Sequence, residues 1–291
     1  MPLKQTLTVN HSLLFYQKNN IYQNNFFCAK IVYGDNMKFF SIASGSKGNA
    51  SYIETAQHKI LIDAGISFTR MKDALKTIDV DIKDLTHLFI THEHSDHVNG
   101  LKILLKNANP RIYVSKGTNK QLEITHNVQI IKALEPLHFE HLTVLPIPLS
   151  HDAKEPLGFI FQNKVKSICY ITDTGYIKED LISLLHNHDL YYLESNHDPY
   201  LLRNSRRPYH LIKRILNEKG HLSNEDSAYY FSKMKGINTK YVIHAHISDE
   251  CNTLDSIKHT YQEVLRAQGV GVEDVEFLNA SQLDPLRVIE L

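Results

Sequence analysis

The sequence predicts an α/β protein, a sandwich of mixed β-sheet with helices on the outside. Two observations point to it. Early apolar segments come in closely spaced pairs that suit hairpins, and later ones alternate with stretches of helical period. A third observation bounds it: no internal repeat and no Pro/Gly-rich linker interrupts residues 37–291, so a single domain is expected there.

Residues 1–36 stand apart. They carry six asparagines and one acid, Asp35, without a sustained period, and are expected to be a disordered extension, with Met37 as an alternative start. Strands are then predicted at Phe39–Ala43, Ser51–Glu54, Lys59–Asp63, His87–Thr91 and Arg111–Val114. Further ones follow at Thr143–Pro148, Gly158–Gln162, Ser167–Thr172, Leu190–Glu194 and Tyr241–His244. Helical period marks Thr69–Lys76, Gly100–Asn107, Lys178–His186, Tyr209–Glu218, Glu225–Lys235 and Leu254–Ala267.

Charge and cysteine usage narrow the class. Lysine plus arginine and aspartate plus glutamate balance at 32 each, so no global positive field draws the chain to nucleic acid, and any such site must be a local patch. Cys28, Cys169 and Cys251 stand far apart, which reads as a reduced, cytoplasmic protein. No apolar run is long enough to span a membrane, and no secretion signal opens the chain.

The segment that carries chemistry is Thr91-His92-Glu93-His94-Ser95-Asp96-His97, directly after the apolar Leu88-Phe89-Ile90. In a continuing strand His92, His94 and Asp96 would share one face. A tight loop instead lets His92 and His94 grip one metal while Asp96 and His97 reach a second. Imidazole with carboxylate suits zinc, manganese or iron. Other strand ends deliver further donors: His151 after Pro148-Leu149-Ser150, Asp173 before Thr174-Gly175, and His244 and His246 after Tyr241-Val242-Ile243. Periodicity puts His244 and His246 on one face and does not choose between them.

These motifs resemble the metallo-β-lactamase superfamily, and within it the YycJ (WalJ) group, over most of residues 37–250. The resemblance rests on Ser44-Gly45-Ser46-Lys47-Gly48-Asn49-Ala50, Ile62-Asp63-Ala64-Gly65, Ser150-His151-Asp152-Ala153 and Thr172-Asp173-Thr174-Gly175-Tyr176. Glu194-Ser195-Asn196-His197-Asp198 and Gly220-His221-Leu222-Ser223-Asn224-Glu225-Asp226 continue it. It implies an αββα sandwich of two mixed sheets flanked by helices. It also implies two divalent ions, zinc or manganese with iron possible: His92, His94 and His151 for one, Asp96, His97 and His246 for the other, Asp173 bridging. His246 is then the ligand and His244 a strand or supporting residue. Asp63, ending its strand before a glycine, is expected to hold the histidine loop or cap its turn.

Substrate contacts are read from the remaining motifs. The Ser44–Ala50 loop, with Ser44 and Ser46, either offers backbone N–H groups to an anion or is an ordinary turn. Ser223 with Asp226 resembles a capping box, and a helix start at Ser223-Asn224 favours phosphate. His221 is expected to bind a phosphate oxygen or protonate a leaving group, with Asp96 beside the attacking water. Arg206 and Arg207, with Arg203, Lys213 and Arg214, form either a track for a nucleic-acid backbone or a solvated face.

The function expected is a phosphodiesterase on nucleic acid, with DNA exonuclease activity, plausibly 5′ to 3′ on duplex DNA, implied by the resemblance. The alternative is a small-molecule ester, lactone or thioester hydrolase. A non-catalytic metal module is disfavoured, because structural zinc sites are closed four-ligand sites without room for a shared water.

Overall fold

The computed structural model describes residues 36–291. The expected extension, residues 1–36, lies outside the described residues, Asn36 apart.

The first half of the chain builds one sheet. Its strands are β1 (Lys38–Ala43), β2 (Ala50–Glu54), β3 (Lys59–Ile62), β4 (His87–Phe89), β5 (Arg111–Ser115) and β6 (Val128–Ile131). The second half builds another from β7 (Leu137–Phe139), β8 (Leu142–Pro148), β9 (Leu157–Gln162), β10 (Ser167–Ile171), β11 (Leu190–Glu194), β12 (Tyr241–Ala245) and β13 (Glu276–Asn279). β14 (Ile289–Glu290) returns to the free edge of β1. The spatial orders are β14-β1-β2-β3-β4-β5-β6 and β13-β12-β11-β10-β9-β8-β7. Each sheet opens with antiparallel pairs and continues with parallel ones, from β3 to β6 and from β10 to β13.

Most of the central strands are buried on both faces, which is why they read as nearly continuous apolar runs. Phe39, Ile53, Ile62 and Phe89 of the first sheet meet Phe159, Phe161, Tyr170 and Tyr192 of the second. Alternate residues face outward: Ile42, Leu61 and Leu88 against α1 (Phe68–Lys76), and Cys169, Tyr191 and Val242 against helices of the second half. Neighbouring parallel strands carry stacked aromatic pairs, Phe89 on Tyr113 with centroids 4.6 Å apart and Tyr170 on Tyr192 at 4.7 Å. The buried Tyr192 hydroxyl is satisfied by Ser41 Oγ in the other sheet at 2.9 Å, so the sandwich is pinned by a polar contact as well as by packing.

The remaining helices are α2 (Ser95–Val98), α3 (Leu101–Asn107), α4 (Lys116–Leu122), α5 (Pro199–Arg203), α6 (Tyr209–Ile215), α7 (Asn224–Met234) and α8 (Leu254–Ala267). Two sequence expectations need correction. Lys178–His186 is not a helix: a single 3-10 turn forms at Glu179–Leu181, its start has no side-chain cap, and Asn187 turns left-handed at φ 67°. The helix expected to reach Glu218 stops at Ile215. β6, β7, β13 and β14 were not anticipated; they are short and stand at or next to sheet edges, where half-exposed residues blur the alternation. Cys169 and Cys251 are buried free thiols, and no helix among the described residues is long and apolar enough to cross a membrane.

Candidate metal centre

The C-terminal ends of the parallel strands in both sheets converge on one edge of the sandwich. Asp63 follows β3, the histidine loop follows β4, Asp173 follows β10, Glu194 ends β11 and His246 follows β12. Three of these, Asp63, Asp173 and His246, take left-handed backbone conformations with φ of 59°, 56° and 51°. Each strand therefore breaks its alternation at the residue that serves the site. This resolves the ambiguity of β12: the strand ends at Ala245, so His244 stays on its outer face while His246 swings to the edge.

Three overlapping donor groups form there, each with donor atoms within 4.8 Å of one another: the first of His92, His94 and His151, the second of Asp96, His97, Asp173 and His246, and a third that joins Asp173 and His246 to Glu194 and His221. In the first, His92 Nε2 and His151 Nε2 lie 3.1 and 3.3 Å from His94 Nδ1. Nitrogens held tetrahedrally at a zinc–nitrogen distance of about 2.0–2.1 Å stand about 3.3 Å apart, so the set already has the span of a cation's ligands. In the second, His97 Nε2 lies 3.3 Å from Asp173 Oδ2 and 3.5 Å from Asp96 Oδ2. Asp173 Oδ2 and His246 Nε2 are buried without a hydrogen bond, and a buried acceptor left dry costs about 1–3 kcal/mol unless something charged meets it. The residues fit divalent metal ions.

The electrostatics say the same. Burial lowers the pKa of His92 and His151, leaving neutral imidazoles with lone pairs to donate. His246 is also buried, yet Asp173, Asp96 and Glu194 raise it to about 10. His97 is likewise raised, by Asp173 and Asp63 against its burial. The carboxylates of the second group thus hold positive charge in place, which a dication would supply directly.

Most of the imidazoles are oriented from behind. Asp63 Oδ2 accepts from His97 Nδ1 at 2.8 Å, while its carboxylate also accepts from Thr91 N and Thr91 Oγ1, both at 2.8 Å. His151 Nδ1 donates to Gly220 O at 3.0 Å. Gly65 lets the Asp63 turn press on the histidine loop, since a Cβ there would stand 1.6 Å from Asp96 O.

Glu194 is the residue sequence reasoning left without a role. It is fully buried, and its Oε1 accepts from His221 Nδ1 at 2.8 Å and His246 Nδ1 at 2.9 Å. Its Oε2 accepts from Thr174 N and Leu222 N, at 2.9 and 3.2 Å. Burial would raise its pKa, but His221 and His246 bring it down to about 2. The signal was available: like Asp63 and Asp173, it is an acid at the end of a strand.

The substrate-contact candidates fall in different places. His221 and Ser223 line a cavity of about 440 Å³ beside the donor groups, together with Tyr200, Arg203 and His197. Ser223 caps α7, accepting from Asp226 N at 3.1 Å while its hydroxyl donates to Asp226 Oδ2; the Asp226 carboxylate engages that hydroxyl rather than the backbone N–H a capping box would use. Asn224 is turned inward, paired with Asn252 and Ser195. Ser44 is buried and its hydroxyl accepts from His246 N at 2.8 Å, whereas Ser46 is exposed. The N–H groups of Ser44, Gly45, Lys47, Gly48 and Asn49 all donate within the protein, so the loop is a structural turn with little left for an anion. Arg206 is exposed, Arg207 pairs with Glu250 at 3.0 Å, and Arg214 forks onto Asp152.

Comparison with known proteins agrees with this geometry. A family described as the β-lactamase superfamily domain matches residues 58–247. The chain is 34% identical over 247 residues to the exodeoxyribonuclease WalJ of Streptococcus pneumoniae, covering 81% of this chain and 91% of that protein. It is 32% identical over 242 residues to the exodeoxyribonuclease YycJ of Bacillus anthracis, covering 81% and 92%. Among solved structures, the metallo-β-lactamase fold protein YhfI from Bacillus subtilis shares the fold, with TM-score 0.67 over 88% of this chain and 100% of that one, at 14% identity. The chain belongs to the metallo-β-lactamase superfamily and resembles its WalJ/YycJ members.

Proposed function

We propose that the protein is a dinuclear metal-dependent phosphodiesterase, an exodeoxyribonuclease that degrades duplex DNA from its 5′ end. The observation that carries this is the position of Asp173 between the two groups: Oδ2 lies 3.3 Å from His97 Nε2, and Oδ1 lies 3.4 Å from His246 Nδ1 in the second group and 4.0 Å from His151 Nε2 in the first. One carboxylate shared by two donor groups suits a pair of ions. The DNA substrate is supported by the names of the two similar exodeoxyribonucleases.

His92, His94 and His151 would hold one ion and Asp96, His97 and His246 the other, with Asp173 between them. When bound, zinc or manganese (or iron, which the same donors accommodate) supplies an acidified water and neutralises the phosphate. Asp96, a donor of the second group, would hold its ion and stand beside the acidified water. His221 donates an Nδ1–H hydrogen bond to Glu194 Oε1, which leaves Nε2 toward the cavity as the group that protonates the leaving oxygen. The fixed carboxylate keeps the imidazole in one orientation. Ser223, Arg203 and exposed Arg206 are the polar groups available to the strand leading away from the cut, with half-buried, Glu250-paired Arg207 beside them.

The test is digestion of an end-labelled DNA duplex, with manganese or zinc returned after chelation. Metal-dependent release of short products from the 5′ end, lost in Asp96→Ala, is expected. No cleavage with either metal, alongside hydrolysis of a lactone or thioester, would keep the metal centre and discard the nucleic-acid reading.

A further inference from the structure

β12 carries His244, and His246, which belongs to the metal centre, follows its end. His244 points the other way, onto the outer face of the second sheet beneath α8. Its ring is 3% exposed, set edge-on to Tyr261 with centroids 4.3 Å apart and stacked on Phe277 at 5.9 Å with an interplanar angle of 18°. Its Nδ1 is buried and has no hydrogen-bond partner. Buried His92, His97, His151 and His246 each have a polar partner, whereas His197, in the cavity beside the metal centre, shares the lack of one with His244. An imidazole always carries at least one N–H, and a donor or acceptor left dry costs about 1–3 kcal/mol. A phenylalanine would fill this aromatic slot without that cost.

The ring forms part of the lining of a cavity of about 480 Å³ between α8 and the edge strand β13. Its walls are apolar, with Ile257, Leu265, Val272 and Val275, while Asp255 and Lys258 stand among its polar residues with opposite charges. Apolar walls, two aromatic rings and an imidazole, with Gln262 and Asn279 beside them, make the ordinary composition of a small-molecule site: greasy surface for affinity, a few polar groups for orientation. The offsetting charges favour neither an anion nor a cation.

The geometry points to a second ligand site at this cavity, taking a small, flat, uncharged apolar molecule that carries one hydrogen-bonding group for His244. Its floor is the sheet, so the site is separate from the metal centre, which lies at the strand ends. The volume is at the lower end of the range for such sites, enough for one or two fused rings.

Indole is a suitable probe, having a flat body and a single N–H, and 1-methylindole has nearly the same shape without the donor. The experiment titrates each into the full-length protein carrying ¹⁵N-labelled histidine, with His244 assigned by His244→Phe. Saturable indole shifts at His244, with the metal-centre histidines unmoved, are expected, and about tenfold weaker binding of 1-methylindole. Val275→Trp, which fills the cavity, should abolish the shift; if that variant fails to fold, His244→Phe followed by indole fluorescence should show the same tenfold loss. No saturation up to the solubility limit, equal binding of both probes, or indole shifts confined to the metal-centre histidines would each overturn the proposal.

Discussion

The groups His92-His94-His151 and Asp96-His97-Asp173-His246 share one edge of the sandwich, with Asp173 proposed to serve both, yet they are built differently. His92, His94 and His151 are imidazoles; His92 and His151 are kept neutral by burial and lean on uncharged partners, Thr91 Oγ1 for His92 and Gly220 O for His151. His97 and His246 lean on the buried carboxylates Asp63 and Glu194, and carboxylates are part of their own group. One group offers lone pairs and the other offers fixed negative charge. Burial of the same residue type thus gives opposite protonation, decided by what lies behind the ring.

The most severe way to break this arrangement is to remove what the groups share. Asp173→Ala should lose metal from both and lower turnover by at least on the order of a thousandfold, several kcal/mol of charge stabilisation. Metal analysis showing normal content with retained turnover would end the bridging role. His221→Ala touches neither group's ligands and should lower turnover by about a hundredfold or more with metal content intact; loss of metal in step with activity would make it a ligand instead.

Smaller changes sharpen the contrast between the groups. Glu194→Gln and Asp63→Asn each keep the shape behind a second-group imidazole and remove the charge. Each should weaken metal binding by about 10- to 100-fold at the second group only, read by competition with a chelator; equal weakening of both ions would show that the groups are not electrostatically separate. The gentlest probe is the proton. His246, raised to about 10, is protonated at neutral pH without a cation, so loading the second group must release that proton, whereas His92 and His151 have none to lose. Calorimetric titration in buffers of different ionisation enthalpy should therefore show proton release for one of the two binding steps and little for the other.

Much of this was legible in the sequence because the chemistry is local. His92, His94, Asp96 and His97 fall within six residues, and the apolar strands that present them are buried on both faces, so their runs are unmistakable. The strand-end position of Glu194 was a signal, but not of what it orients, because its two partners, His221 and His246, are 27 and 52 residues away in sequence. The choice of His246 over His244 required a backbone angle that no periodicity encodes. The Ser44–Asn49 loop looked open by composition, but its N–H groups find partners as distant as Gln282 and Ser281. The helix expected at Lys178–His186 shows the converse error, since apolar Leu181 and Leu185 are buried from a turn as easily as from a helix.

The left-handed backbone at Asp63, Asp173 and His246 has a consequence for how the protein can change. Each such residue costs on the order of 1–2 kcal/mol relative to an ordinary conformation, and glycine alone would sit there without that cost. Selection for stability by itself would therefore drift these three positions toward glycine and erase the centre. Metal-free Asp173→Gly should accordingly melt at a higher temperature than metal-free Asp173→Ala; the reverse order would mean the turn is not strained. The ligands at these bends persist against the thermodynamic preference of their own backbone, and a gain of stability there would mark a chain on its way to losing its chemistry.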